Sequence, residues 1–135
     1  MAWVTVTGRV GNRFIPGFEP SGLSAETLGF FRLPQFQARM AALTARMAAQ
    51  DTRVLIQMTM IGGYPNAPSA MLSNPVANAH PHPMTLADIV AIVEEYRFSA
   101  RQVAQTPLDG VEMHFNHDDL VEQFLSPLTN RRDDA

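Results

Sequence analysis

Val54-Leu55-Ile56-Gln57-Met58 is the run that decides the fold. It is too short for a helix and apolar on both faces, as a strand is when other elements cover it on either side in a parallel sheet. Its one polar residue, Gln57, sits near the C-terminal end, and Gly62-Gly63 closes the segment. Upstream, Phe36, Met40, Leu43 and Met47 recur at i, i+4, i+7 and i+11, with Gln37, Arg39, Thr44 and Arg46 on the other faces. That spacing predicts an amphipathic helix from Leu33-Pro34 to about Gln50. Residues 3–7 are rich in β-branched side chains and stop at Gly8, so they read as a strand. Gly11, Pro16, Gly17, Pro20 and Gly22 mark a long irregular connection between that strand and the helix.

Downstream, residues 64–83 hold five prolines with Asn and Ser and are expected to lack regular structure. A loop of about 20 residues is unusual in a compact domain and is usually functional or disordered. Thr85-Leu86-Ala87-Asp88 resembles a capping box, with Asp as a shorter partner than Glu or Gln. Leu86, Ile89, Val90, Val93, Ala100 and Val103 then define the apolar face of a helix that ends before Pro107. Asp109-Gly110 is a turn. Val111-Glu112-Met113-His114 alternates, putting Val111 and Met113 on one face of a strand and Glu112 and His114 on the other. A short helix is expected around residues 120–125, ending at Ser126-Pro127. Met40, Met47, Met58 and Met113 fall on core-facing positions and read as packing residues.

The order strand, loop, helix, strand, long loop, helix, strand is a βα repeat, which makes the chain α/β with a parallel sheet. A doubly wound sheet should carry a glycine-rich phosphate turn after a strand, and the sequence has neither G-x-G-x-x-G nor a P-loop. In a (β/α)8 barrel, chemistry sits on inward residues at the C-terminal strand ends. Gln57 and the Glu112/His114 face match that arrangement.

Composition limits the function classes. The chain has 135 residues, ten of them arginine and none lysine, against thirteen acids, for a net charge of −3. A chain of this size buries roughly 70% of its unfolded surface, so it can build a core without cross-links. With no cysteine there is no disulfide framework, thiolate metal site or iron–sulfur site. Mild acidity without a basic stripe argues against nucleic acid or an anionic membrane as partner. The N-terminus has no basic n-region, and no apolar run approaches the length of a spanning helix, so a cytoplasmic location is expected.

The four histidines come as His80-Pro81-His82 and His114-Phe115-Asn116-His117, followed by Asp118-Asp119. One reading is a metal hydrolase using these imidazoles and an Asp as ligands. The spacing is not diagnostic, and the first pair reads more simply as solvated loop histidines. For Asp118-Asp119 the structural reading is a solvated helix N-terminus, where carboxylates cap N–H groups.

Asp109-Gly110-Val111-Glu112-Met113-His114, then Leu120, Gln123-Phe124-Leu125-Ser126-Pro127 and Asn130-Arg131-Arg132-Asp133, resembles the fourth-strand signature of the old yellow enzyme family. These are FMN-dependent NADH:flavin oxidoreductases, among them ene-reductases, dienoyl-CoA reductases and amine dehydrogenases. Leu55-Ile56-Gln57 with Gly62 is similar to the family's third-strand element, and Ala67-Pro68-Ser69-Ala70 to the segment that follows it. The aspartate-isoleucine start of the helix from Thr85 also fits. The resemblance implies a partial (β/α)8 TIM barrel over residues 1–135, strands 2 to 4 with their connecting helices. By the same resemblance Gln57 would bind the flavin pyrimidine edge, His114 would face both flavin and substrate, and His117 would be its paired donor. The cofactor would be FMN, and the partners NAD(P)H and a small organic substrate, either an enoate or dienoyl compound or an N-methyl amine.

The departures bear on the chemistry. Asp119 stands where the family has a proton-donating tyrosine, and a carboxyl group with a reference pKa near 3.9 is normally ionised. An ionised Asp118 or Asp119 would instead suit a cationic amine. Met60 replaces a histidine usual after the glutamine. A full barrel takes about 250 residues, so the chain is expected to be an internal fragment that self-associates or needs a complementing barrel segment. A non-catalytic interaction module that binds no flavin is the alternative from another class.

Overall fold

The computed structural model describes residues 1–10, 30–60, 66–70 and 80–134. The expected irregular connection at Gly11 to Gly22 and the strand stop at Gly62-Gly63 lie outside those residues. The elements run β1 (Ala2–Arg9), a 3-10 turn (Phe30–Arg32), α1 (Phe36–Ala48), β2 (Thr52–Thr59), β3 (Asn66–Ala67), β4 (His82–Pro83), α2 (Leu86–Val103), β5 (Gly110–Met113) and α3 (Leu120–Leu125).

β1, β2 and β5 form one parallel sheet with β2 in the centre. Both long strands extend beyond the expected residues 3–7 and 54–58, because eight consecutive positions pair from Ala2↔Thr52 to Arg9↔Thr59. The register aligns Val6, Ile56 and Val111 on one face and Thr7, Gln57 and Glu112 on the other. Val54, Ile56 and Met58 are buried, and Ile56 and Met58 share one core with Phe36 and Met40 of α1 and Ile92 and Val103 of α2. Gly8 is required by a close approach: a Cβ there would lie 2.6 Å from Cζ of Phe31. Phe30, Phe31 and Phe36 meet edge to face at 5.2–5.5 Å between ring centres, a favourable aromatic arrangement.

The turns follow from local sequence. α1 ends at Ala48, and Asp51, at φ 51°, reverses the chain into β2, a left-handed conformation that Asp tolerates better than most residues. The capping box forms as expected. Thr85 Oγ1 accepts from the Asp88 backbone N–H at 3.2 Å, and Asp88 Oδ2 accepts from the Thr85 N–H at 2.8 Å.

Several expectations are corrected. The buried stripe of α2 is Asp88, Ile92, Glu95, Ser99 and Val103, whereas Leu86, Val90 and Val93 are exposed. The two charged members of that stripe are tolerated because each is paired: Asp88 closes the capping box, and Glu95 binds Arg32, whose guanidinium stacks over Phe98 at 4.0 Å. Thr44 of α1 is buried rather than on a polar face. Met113 is 41% exposed rather than core, and Val111 beside it is also exposed, since no described element covers that side of β5. Residues 64–83 are not wholly irregular: β3 and β4 make a two-residue parallel ladder, Asn66↔His82 and Ala67↔Pro83. Pro83 fits there because a short ladder at its last position needs no donor from it. Among the described residues no helix is long and apolar enough to cross a membrane.

Candidate functional site at the C-terminal strand ends

On the face opposite the helices, three strands contribute one connected polar set. Gln57 and Glu112 are register partners, and Gln57 Nε2 donates to Glu112 Oε1 at 2.6 Å. Thr5 Oγ1 of β1 donates to the other carboxylate oxygen at 3.2 Å. Sequence reasoning placed Glu112 on this face but gave it no role, and missed Thr5 altogether; the alternation of β1 was the signal available for Thr5.

His114 follows β5 directly, and its N–H continues the ladder to the Met58 carbonyl at 3.1 Å. It therefore stands at the C-terminal end of the strand next to Gln57. The chain then turns through two successive left-handed residues, His117 at φ 57° and Asp118 at φ 63°. This turn brings the His117 ring back over His114, with centres 5.3 Å apart and planes 21° from parallel. Nδ1 of His117 lies 3.4 Å from Nε2 of His114, so one ring nitrogen donates to the other. The structure thus unites a half-buried His114 with an exposed His117, the two residues the resemblance had paired.

Asp119 is placed differently from the expectation. Its side chain is fully buried; Oδ2 accepts from Thr59 Oγ1 at 2.7 Å and from the Met60 N–H at 2.8 Å, and Oδ1 caps α3 through the Val121 N–H at 3.3 Å. A carboxylate saturated by protein donors ties the end of β2 to the start of α3. Its surroundings do not match those of a proton donor or of an amine-binding group. The expected helix N-terminus is present, but it is buried rather than solvated. Close by, burial and then the Asp119 charge hold the Tyr96 phenol far above its ordinary pKa, so it stays neutral. Asp118 contrasts with its neighbour. Burial raises its pKa above the ordinary carboxyl value, a hydrogen bond with Gln123 partly offsets that, and the nearby Glu122 charge adds to it. Its Oδ2 is buried with no partner among the described residues.

The two short motifs singled out in sequence meet in space. Arg132 Nη1 donates to the Pro68 carbonyl at 2.8 Å and also to the Met84 carbonyl, and the Arg131 N–H donates to Ser69 Oγ at 2.8 Å. The C-terminal segment therefore clamps the β3/β4 ladder beside α3, which follows the histidine turn and itself packs on β3.

The other histidine pair is not drawn into this site. His82 Nε2 lies 3.2 Å from Asp88 Oδ2. Burial pushes the Asp88 carboxyl up, but the Thr85 N–H and hydroxyl together with His82 outweigh it and hold the group below its ordinary value. His82 is thus committed to the start of α2, and His80 is exposed. Among the described residues no group of three or more His, Cys, Asp or Glu is arranged to hold a metal ion.

Comparison with known proteins identifies the family. The family model for the NADH:flavin oxidoreductase / NADH oxidase family matches residues 37–135. An NADPH dehydrogenase of Clostridium acetobutylicum is 29% identical over 126 residues, covering 87% of this chain and 37% of that protein. An NADPH dehydrogenase of Bacillus velezensis is 30% identical over 122 residues, covering 85% of this chain and 36% of that protein. An NADH-dependent flavin oxidoreductase of Neonectria sp. is 46% identical over 55 residues, covering 41% of this chain and 7% of that protein. The chain thus spans little more than a third of the length of even the more fully covered of these relatives. With the match extending over well beyond half of its residues, the chain belongs to the NADH:flavin oxidoreductase / NADH oxidase family.

Proposed function

We propose that this chain supplies the flavin-binding and substrate-facing strands of an FMN-dependent NAD(P)H:flavin oxidoreductase of the old yellow enzyme type, as strands 2 to 4 of a (β/α)8 barrel. The observation that carries the reading is the shared placement of Gln57 and the stacked His114/His117 pair at the C-terminal ends of adjacent parallel strands. A flavin pyrimidine edge presents both donors and acceptors, and a glutamine amide answers with both. Gln57 uses one N–H on Glu112, and among the described residues its Oε1 has no donor, so an acceptor and a second N–H remain for a ligand. The residues therefore fit the group. When bound, FMN supplies the two-electron chemistry, while the protein contributes binding, orientation and electrostatics. With one ring N–H spent between the two rings, the His114/His117 pair donates the other to a substrate oxygen and stabilises charge that develops there.

The substrate follows from what stands near those histidines. With Asp119 saturated, Asp118 is the acidic group available to meet a cation. Its unpartnered buried oxygen favours an N-methyl amine over an enoate, because an incoming ammonium would satisfy it. The exposed apolar band formed by Val111, Met113 and the outer side of α2 is covered in the working enzyme by further barrel segments or a second copy.

FMN titration of the purified chain, followed by fluorescence quenching and size exclusion, tests the reading. Saturable quenching at micromolar affinity, weakened about tenfold by Gln57→Leu, supports it. Absence of quenching at every oligomeric state overturns it in favour of an interaction module that binds no flavin.

A further inference from the structure

We infer that Glu112 is the positioning residue for Gln57: it fixes which end of the amide faces the ligand. This rests on the flavin-binding reading above, although the contact itself is present without any ligand. Gln57 and Glu112 are cross-strand partners in the parallel register, so their side chains leave the same face side by side. A carboxylate is an acceptor and cannot donate. Only the Nε2 end of the amide can face it, and the 2.6 Å contact is a short, charge-assisted bond. Gln57 Oε1 is thereby turned away from Glu112.

The carboxylate is itself braced. Thr5 Oγ1, on the far strand β1, holds the second oxygen at 3.2 Å, so β1, β2 and β5 all help to define one amide orientation. An unbraced glutamine interchanges donor and acceptor ends by rotating its terminal torsion, and half of those states present the wrong group. Glu112 removes those states before a ligand arrives, which is preorganisation in its simplest form. Glu112 is a residue that acts through another and need not touch the ligand. Its counterpart at Thr5 acts one step further back.

The test compares Glu112→Leu, Glu112→Gln and Thr5→Val with the unaltered chain, using two readouts. The first is the pair of Gln57 side-chain amide proton resonances in the ligand-free protein, assigned by their loss in Gln57→Leu. The second is the Kd for FMN. The expected result is one Gln57 amide proton shifted well downfield in the unaltered chain and less so in Glu112→Gln, whose amide can donate as well as accept and so no longer excludes the flipped Gln57. In Glu112→Leu the two protons converge. The Kd rises about tenfold in Glu112→Leu and about threefold in Glu112→Gln. A purely structural role for Glu112 would not produce that graded change in the Gln57 resonances. Unmoved Gln57 resonances in Glu112→Leu, or FMN binding as tight as in the unaltered chain, overturn the inference. Should Glu112→Leu fail to fold, Thr5→Val decides, with a smaller convergence of the same resonances expected and none overturning the brace. If the unaltered chain binds no FMN, the flavin reading falls by itself, and the amide resonances still decide whether Glu112 orients Gln57.

Discussion

The two ends of the central sheet use the same device for different purposes. At the N-terminal end, Asp109 joins β2 to the start of β5. Its Oδ2 accepts from the Val54 N–H at 2.8 Å and its Oδ1 from Arg53 at 2.5 Å, while the Asp109 N–H returns to the Val54 carbonyl at 2.9 Å. At the C-terminal end, Asp119 joins β2 to α3 through Thr59 and Met60. Both carboxylates are structural ties. The difference lies in what is left over. A cleft of about 380 Å3 at the N-terminal end is lined by Thr44, Asp51, Arg53 and Asp109, but its charges are already paired, Asp51 with the N-terminal ammonium and Arg53 with Asp109. At the other end the ties leave one exposed and one half-buried imidazole and the Gln57 amide available. A cavity with satisfied charges is scaffold, and an open strand end with surplus donors and acceptors is where ligand chemistry belongs.

The largest effect that can break this comparison is expected at Asp119. Replacing it by Ala leaves Thr59 Oγ1 and the Met60 N–H buried without an acceptor and uncaps α3, at a cost of about 3 kcal/mol. Urea denaturation reads this directly; a loss well under 1 kcal/mol would mean that Asp119 is not a tie and would return it to the list of reactive groups. Next is Gly8→Ala, where the new methyl group meets Phe31 and forces the aromatic cluster to shift, costing about 2 kcal/mol by the same measurement.

The pH dependence sharpens the contrast between the ends. Asp109 sits below its ordinary pKa because the Val54 N–H and then Arg53 favour the carboxylate. Its stabilising contribution is complete above the unfolded value of 3.8 and is lost as pH falls through the lower folded value. Asp118 is raised, with burial the main cause, so its ionisation opposes folding and that penalty is relieved as pH falls through its folded value. Thermal unfolding from pH 7 to pH 2.5 should therefore show Asp109→Asn with a shallower acid loss than the unaltered chain, and Asp118→Asn with a steeper one. Equal slopes in the two variants would remove the distinction. The smallest effect is expected for His117→Ala, an exposed side chain whose removal changes stability by no more than about 0.5 kcal/mol. A larger loss would make the histidine stack part of the scaffold.

What the sequence made legible was whatever depends on near neighbours. The capping box at Thr85 and Asp88, the buried run of β2 and the alternation that puts Glu112 and His114 on one face all follow from residues a few positions apart. The misread positions depend on distant partners. Glu95 sits in the buried stripe of α2 because Arg32, 63 residues earlier, neutralises it. Whether Asp119 is a solvated cap or a buried tie is settled by Thr59, 60 residues away. The Asn130-Arg131-Arg132 segment is recognisable as a motif, but its work on Pro68, Ser69 and Met84 is visible only in three dimensions. Val111 and Met113 satisfied the apolar pattern of a strand without being covered, since alternation reports which side a residue takes and not what lies against it.

Amide hydrogen exchange of the chain with and without FMN reads both ends of the sheet in one experiment and so shows at which end the ligand binds. Added protection is expected in peptides covering residues 57–60 and 113–119, and none in those covering residues 51–54 and 107–110. Protection confined to the N-terminal end, or spread equally over both, would contradict the account.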